Sequence, residues 1–263
     1  MLASRAVLVK KMVVPLAQTT CRLVCQPSSL GNWGNTKVAV VFSGSGWWDG
    51  TDTHEAAYVI YHLNRNGAKY QIFAPNMQQM HVIDHTRNQP MSGDNRNVMT
   101  ESARLTRGRI QDITSLEAGS YDAIIFPGGY GITKNLSTFH NDGKDCRLNS
   151  DIDRILKSFA EEIKPIGLSC MSTILACRVL PGIEVTMGYE SNDNGCWPYY
   201  NMTTAIKNMG AKHVMKEPFD AHVDERNKVI TTPASMWESD SHSHHIFDGI
   251  GQMVKHVLRM SNK

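Results

Sequence analysis

The chain contains three continuous apolar segments that each run directly into a turn of small residues. These are K-V-A-V-V-F at 37–42 before S-G-S-G, Y-D-A-I-I-F-P at 121–127 before G-G, and P-I-G-L at 165–168 before S-C. A continuous apolar run, unlike an alternating one, is typical of a parallel strand that is covered on both faces. Because parallel strands need crossover connections, the chain is constrained to alternate strands with helices.

Helical patterns fill the intervals between these strands. The clearest one begins at His54 and places a stripe of apolar residues from Ala56 to Leu63, after a capping residue at Thr51, Asp52 or Thr53. Further helices are predicted at 98–107, 150–162, 202–209 and 246–260, further strands at 69–75, 183–187 and 212–216, and hairpins at 81–91 and 222–231. We therefore predict a doubly wound, mainly parallel α/β sheet sandwiched by helices, in a single domain of residues 36–263.

Residues 1–35 have the composition of a targeting segment. No Asp or Glu precedes Asp49, while four basic residues between Arg5 and Arg22 are interspersed with apolar ones. This composition predicts a mitochondrial presequence and linker, cleaved between Arg22 and Gly34, and a location in the mitochondrial matrix. The pair Lys10–Lys11 interrupts the apolar stretch, which argues against a secretory signal.

Composition excludes several classes of function. The formal net charge is +2 and no basic stripe is visible, so no nucleic-acid partner is expected. The longest apolar runs are too short to span a membrane. The six cysteines form no C-x-x-C pair, which gives neither a zinc spacing nor a disulfide framework.

Cys170 lies where a strand turns sharply into a helix. Its neighbours Ser169 and Ser172 are small, as such a turn requires. The N–H groups at the start of the following helix would stabilise a thiolate and any oxyanion formed beside it. The alternative is an unreactive cysteine buried in the core, which we also expect for Cys177.

The ends of the three apolar strands should meet at one edge of the sheet, because ligand sites of such folds form outside the carboxyl ends of the strands. Glu55, in the first turn of the first helix, would lie at the same edge. A solvated acid favoured by the helix dipole is the alternative interpretation of Glu55.

These segments together resemble the DJ-one/PfpI superfamily, whose fold is flavodoxin-like and class I glutamine amidotransferase-like. The motifs are Y-D-A-I-I-F-P-G-G-Y-G at 121–131, I-G-L-S-C-M-S at 166–172 and an acid early in the first helix. Within it, H-E-A at 54–56, N-V-M-T-E-S-A-R-L-T-R-G at 97–108 and V-I-T-T-P-A at 229–234 resemble the branch of the bacterial glyoxalase ElbB. The predicted presequence points to mitochondrial members of that branch.

The resemblance implies a set of roles. Cys170 would be the nucleophile, Glu55 its acid/base partner, and the amides of Gly129 and Met171 the oxyanion site. The implied activity is a cofactor-independent, glyoxalase-like or carbonyl-detoxifying reaction that converts a small reactive aldehyde to a hydroxy acid, with no metal. The alternative is a catalytically weak or inactive mitochondrial protein of the same fold with a redox-responsive or scaffold role.

One family feature is missing. The superfamily often carries a histidine at the end of the strand that follows the cysteine helix, but this chain has Gly188 there and no His between Cys170 and His213. Glu190 and His54 are the candidates to replace it as acid/base. Glutamine amidotransferase activity is not expected, because the chain lacks a late H-x-E motif.

Two further features leave alternatives open. The S-H-S-H-H segment at 241–245 suggests a metal, but a solvated segment before the last helix is the preferred interpretation. Trp197, Tyr199 and Tyr200 lie in a polar excursion and suggest a contact between subunits of a homo-oligomer, most simply a dimer.

Overall fold

A computed structural model describes residues 33–193, 195–239 and 243–261. Its centre is a seven-stranded sheet with the order β10-β11-β7-β6-β1-β2-β5. The strands are β1 Lys37–Val41, β2 Lys69–Ala74, β3 Ile83–Asp84, β4 Gln89–Pro90, β5 Gln111–Asp112, β6 Ala123–Phe126, β7 Ile166–Ser169, β8 Glu184–Val185, β9 Lys212–His213, β10 His222–Asp224 and β11 Val229–Thr232. Every pairing in the large sheet is parallel except that of β10 with β11. The predicted mainly parallel fold is confirmed.

Helices cover the sheet. They are α1 Thr53–Arg65, α2 Val98–Leu105, α3 Phe139–Asp142, α4 Ser150–Glu161, α5 Thr173–Val179, α6 Asn201–Asn208 and α7 His244–Ser261. The helices α1 and α7 pack against each other, and α7 contacts β6, β7 and β11. The helix α4 packs against α5 and β7. A Cβ atom on Gly167 would meet Val257 and Met253 of α7, so this glycine lets α7 approach β7 closely.

The four central strands form the core. All residues of four segments are buried: Val38–Val41, Ala123–Phe126, Ile166–Ser169 and Val229–Thr232. This burial agrees with the continuous apolar pattern of these segments. The order in which strands are added to the sheet reverses at β1. The strands β2 and β5 lie on one side of it, and β6, β7 and β11 lie on the other. The carboxyl ends on either side of such a reversal form a crevice, which is where the candidate site lies.

Several local predictions need correction. Asn149, not Ser150, caps α4, since its side chain accepts a hydrogen bond from the Asp151 amide. The strands predicted at 183–187 and 212–216 are only two residues long each and pair with one another outside the large sheet. The edge strand β5 was not predicted, because two polar residues carry no strand pattern.

The predicted presequence and His242 lie outside the described residues. In the part of the chain that is described, no helix combines the length and the apolar character needed to cross a membrane. No group of three or more His, Cys, Asp or Glu side chains among these same residues is arranged to hold a metal ion.

Candidate active site

The turn after β7 holds Cys170 in a strained conformation. Its φ of 55° lies in the left-handed region, which a non-glycine residue rarely occupies. The Ser172 hydroxyl lies 2.7 Å from both the Phe126 and Ser169 carbonyl oxygens and so fastens the turn to the end of β6. A short 3-10 turn, Cys170–Ser172, then leads into α5. The sharp bend predicted at this position is present.

Glu55 is fully buried against the same turn. Its Oε2 accepts hydrogen bonds from the Gly128 amide at 2.8 Å and the Ser169 hydroxyl at 2.5 Å. A Cβ atom on Gly128 would lie 2.5 Å from the Cys170 Cβ and 2.9 Å from the same carboxylate oxygen. The acid and the cysteine therefore flank one glycine, and only a glycine leaves room for both.

Burial determines the electrostatics of this pair. It raises the pKa of Glu55 to about 7, with a further contribution from the charge of Asp52. The pKa of the Cys170 thiol is raised well above its usual range by burial and then by the charge of Glu55, while hydrogen bonds from the Met171 and Gly129 amides act in the opposite direction. The thiol is therefore protonated at neutral pH, and the nearby carboxyl group is poised to exchange a proton there.

Four aromatic side chains lie together, and two of them, Tyr130 and Tyr199, interact with the thiol. We call Trp47, Trp48, Tyr130 and Tyr199 the aromatic cover. The Trp47 ring centroid is 5.6 Å from that of Tyr130 and 5.9 Å from that of Tyr199. Burial raises the pKa of Tyr130 to about 12, with a further contribution from the charge of Cys170. Burial and then the hydrogen bond with Glu238 raise the pKa of Tyr199, to which Cys170 also contributes. The Tyr199 hydroxyl donates to Glu238 Oε1 at 3.0 Å, which fixes one side of the cover.

A cavity of about 760 Å³ adjoins the site. Its walls include Trp47 of the aromatic cover, together with Asp52, Ser235 and Glu238. Neither Cys170 nor Glu55 lines it. Asp52 and Ser235 both interact with Glu55, so they stand between the cavity and the buried carboxyl.

Glu190 and His54, the two candidates to replace the missing histidine, interact with residues other than Cys170. Glu190 binds Lys207 Nζ at 2.6 Å and His213 Nδ1 at 2.8 Å, and these hydrogen bonds lower its pKa. The His54 side chain is 79% exposed and lies 3.8 Å from Asp52 Oδ1. No contact of either residue with Cys170 is seen among the described residues.

Trp197 explains why the position of the family histidine holds a glycine. Gly188 has a φ of 93°, and a Cβ atom there would clash with the Trp197 ring. That ring is 3% exposed and lies 5.1 Å from the Tyr189 ring. Trp197 is thus buried within its own chain, which removes it from the predicted subunit contact.

Sequence reasoning missed Ser169 and Ser235 as partners of Glu55 and saw Asp52 only as one of three possible helix caps. The Ser235 amide donates to Glu55 Oε1 at 3.3 Å. Ser235 follows β11, which pairs with β7. Knowledge of that pairing alone would have placed the residues after Thr232 beside Cys170.

Comparison with known proteins identifies the family. The chain is 60% identical to the mitochondrial ES1 protein of Danio rerio, over 100% of both chains. It is 55% identical to the human mitochondrial glutamine amidotransferase-like class 1 domain-containing protein 3, over 86% of this chain and 84% of that one. The chain belongs to the ES1 family. A comparison with models of protein families gives no match.

Solved structures support the fold of this ES1 family member. The crystal structure of an isoprenoid biosynthesis protein with an amidotransferase-like domain from Ehrlichia chaffeensis matches with a TM-score of 0.76 and 28% identity, over 86% of this chain and 99% of that one. The ThiJ/PfpI domain protein from Brachyspira murdochii shares the fold with a TM-score of 0.50 and 14% identity, over 87% of this chain and 96% of that one. The names of the ES1 relatives confirm the predicted mitochondrial location.

Proposed function

We propose that this ES1 family member is a cofactor-independent, glyoxalase-like enzyme that uses Cys170 to convert a small reactive aldehyde to a hydroxy acid. The observation that carries the proposal is the buried Glu55 carboxyl, whose pKa is raised to about 7 beside Cys170. An acid/base group is most effective when its pKa lies near the working pH. The resemblance to the glyoxalase ElbB branch points to the same chemistry.

Glu55 makes the protonated thiol usable as a nucleophile. The carboxylate accepts the thiol proton while the sulfur attacks the aldehyde carbon of glyoxal or methylglyoxal, and a carbon–sulfur bond forms. The aldehyde oxygen carries the developing negative charge and lies against the Gly129 and Met171 amides. Glu55 then returns the proton to that oxygen, which gives a hemithioacetal.

The remaining steps need only proton transfer and water. Glu55 removes the hydrogen from the former aldehyde carbon and, through an enediol, a proton is delivered to the neighbouring carbonyl carbon. The first carbon is thereby oxidised to a thioester and the second reduced to an alcohol carbon, so no external oxidant or reductant is needed. Water cleaves the thioester, returns a proton to the sulfur and releases the hydroxy acid.

Replacing Cys170 with alanine tests the proposal. Cys170→Ala should lower the conversion of methylglyoxal to lactate by about a hundredfold or more, because the attacking atom is lost. Alanine carries a Cβ atom as cysteine does, so the strained turn should persist. The measurement is lactate formation by the purified protein without its predicted presequence.

Cys177→Ala is the matched control, because Cys177 is a buried thiol on α5, the helix that follows the turn. It should keep the wild-type rate. Equal rates in wild type and Cys170→Ala would reject the enzyme proposal and favour the non-catalytic alternative. A redox-responsive role is less well supported, because burial raises the pKa of Cys170 and peroxide reacts with the thiolate form.

A further inference from the structure

Asp52 connects three segments that surround the thiol. Its Oδ1 caps α1 by accepting hydrogen bonds from the His54 amide at 2.8 Å and the Glu55 amide at 3.4 Å. Its own amide donates to the Gly128 carbonyl oxygen at 3.0 Å. Its Oδ2 accepts a hydrogen bond from the Ser235 hydroxyl at 2.8 Å. One aspartate thus fastens the start of α1, the glycine turn after β6 and the turn after β11.

Each of these attachments leads to Glu55. The cap fixes the first turn of α1, on which Glu55 lies. Gly128 donates its amide to Glu55 Oε2, and Ser235 donates its amide to Glu55 Oε1. The three segments that Asp52 fastens are therefore the segments that hold the carboxyl group of Glu55 in place.

We propose that Asp52 is the positioning residue of this site, which holds the Glu55 carboxyl against Cys170 by joining the three segments that bind it. The role of Asp52 in catalysis rests on the proposed function. Its physical content, the control of Glu55 and Cys170 by Asp52, can be tested without turnover.

The charges around the pair support this assignment. Asp52 contributes to the raised pKa of Glu55 and also to that of Cys170. Tyr130 and Tyr199 of the aromatic cover also interact with the thiol, and both interact with Glu238. Both phenols are neutral at pH 7, because the ordinary pKa of a phenol is near 10 and burial raises it further here. Asp52 is the carboxylate whose charge acts on both Glu55 and Cys170.

Asp52→Asn is the decisive variant. Asparagine is as good a helix cap as aspartate, and its amide can still pair with Ser235, so the fold should persist while the charge is lost. The titration of the Glu55 carboxyl, followed by carbon-13 NMR and assigned with Glu55→Gln, should move to lower pH by about one unit. The pH dependence of Cys170 alkylation by iodoacetamide should shift to lower pH for the same reason, a change that easier access to the thiol alone would not produce.

Asp49→Asn is the matched control, because Asp49 lines the same cavity but forms its hydrogen bond with the Ile83 amide. It should leave both readouts at their wild-type values. Asp52→Ser, which keeps a capping oxygen, is a second uncharged variant should Asp52→Asn fold poorly. An unchanged Glu55 titration in the folded Asp52 variants would overturn the inference, whether or not the protein converts aldehydes. A purely structural cap would change only the stability.

Discussion

Two glycines determine what can lie near the site, and they do so in opposite ways. At Gly128 the space that a side chain would fill is used by Cys170 and Glu55, so the glycine brings two functional groups together. At Gly188 the corresponding space is filled by the Trp197 ring. The position at which the superfamily often has a histidine is therefore closed to any side chain while Trp197 stays in place.

Gly188→Ala should destabilise the protein strongly. The left-handed φ of 93° costs about 1–2 kcal/mol for a residue with a Cβ atom, and the clash with Trp197 adds about 1–3 kcal/mol. Urea unfolding measures the loss. Gly210→Ala is the matched control, because Gly210 has a φ of 91° but no atom within 4 Å of an added Cβ. Equal losses in the two variants would mean that Trp197 does not fill the space beside Gly188.

The residues of the site differ in how far the sequence predicts them. Cys170 and Glu55 follow from position alone, because each lies at the end or start of an element whose pattern is clear. Asp52 is visible as a possible cap, but its bond to Ser235 is not, since the two residues are far apart in the chain. Ser235 becomes recognisable only when β11 is known to pair with β7. Local sequence patterns predict helices and strands, whereas the hydrogen-bond partners of a side chain depend on the order of strands in the sheet.

At the scale of elements, the aromatic cover joins three loops. Trp47 and Trp48 follow β1, Tyr130 follows β6, and Tyr199 comes from the excursion between β8 and α6. Lys134 strengthens the cover by donating from Nζ to the Trp48 carbonyl oxygen at 2.7 Å. Since Cys170 is fully buried, a reagent must displace part of this cover or the Asp52–Ser235 pair to reach the thiol.

Tyr199→Ala should expose the thiol. Removing the ring takes away a contact of Trp47 and the hydrogen bond to Glu238, so alkylation of Cys170 by iodoacetamide should become about tenfold faster. Peptide mapping by mass spectrometry measures the modification of Cys170. Tyr199→Phe keeps the ring and loses only the hydroxyl, and it should have a smaller effect. If Tyr199→Ala reacts no faster than wild type, access does not pass through this part of the cover.

At the scale of the whole molecule, a buried acid with a raised pKa makes stability depend on pH. Folded Glu55 has a pKa of about 7, whereas its ordinary value is 4.5. Between these values the folded chain binds the proton more tightly than the unfolded chain. The resulting stabilisation is fully present below about pH 4.5 and is lost as the pH rises through about 7.

Glu55→Gln should remove this dependence. The free energy of unfolding of the variant, relative to that of wild type, should rise on the order of 3 kcal/mol from about pH 5 to about pH 8. The reason is that wild type loses its stabilisation as Glu55 ionises, whereas the amide of the variant cannot ionise. Urea unfolding at both pH values gives the difference between the two proteins, in which the contributions of the histidines cancel. A constant difference across this range would show that Glu55 does not titrate there.

The architecture as a whole was largely predictable. The continuous apolar runs identify the central strands, and the alternation of strands with helices gives the doubly wound class. The extents of the two-residue strands β5, β8 and β9 cannot be predicted from the sequence. Two residues are too few to show an alternating or continuous apolar pattern, and their pairing depends on the strands that lie beside them. In the excursion that carries Trp197, the predicted subunit contact is wrong for this residue, since an aromatic side chain has the same signature whether it is buried in its own chain or in an interface.

Ser235 follows β11 and is therefore synthesised after the two residues that it helps to hold in place. Cys170 and Glu55 are made well before β11, yet their hydrogen-bonded setting needs the residues that follow this strand. A nascent chain that still lacks its C-terminal part would carry Cys170 and Glu55 without the Ser235 amide that binds the Glu55 carboxyl. The finished setting of this pair is thus a property that the polypeptide acquires only after β11 has been made and paired with β7.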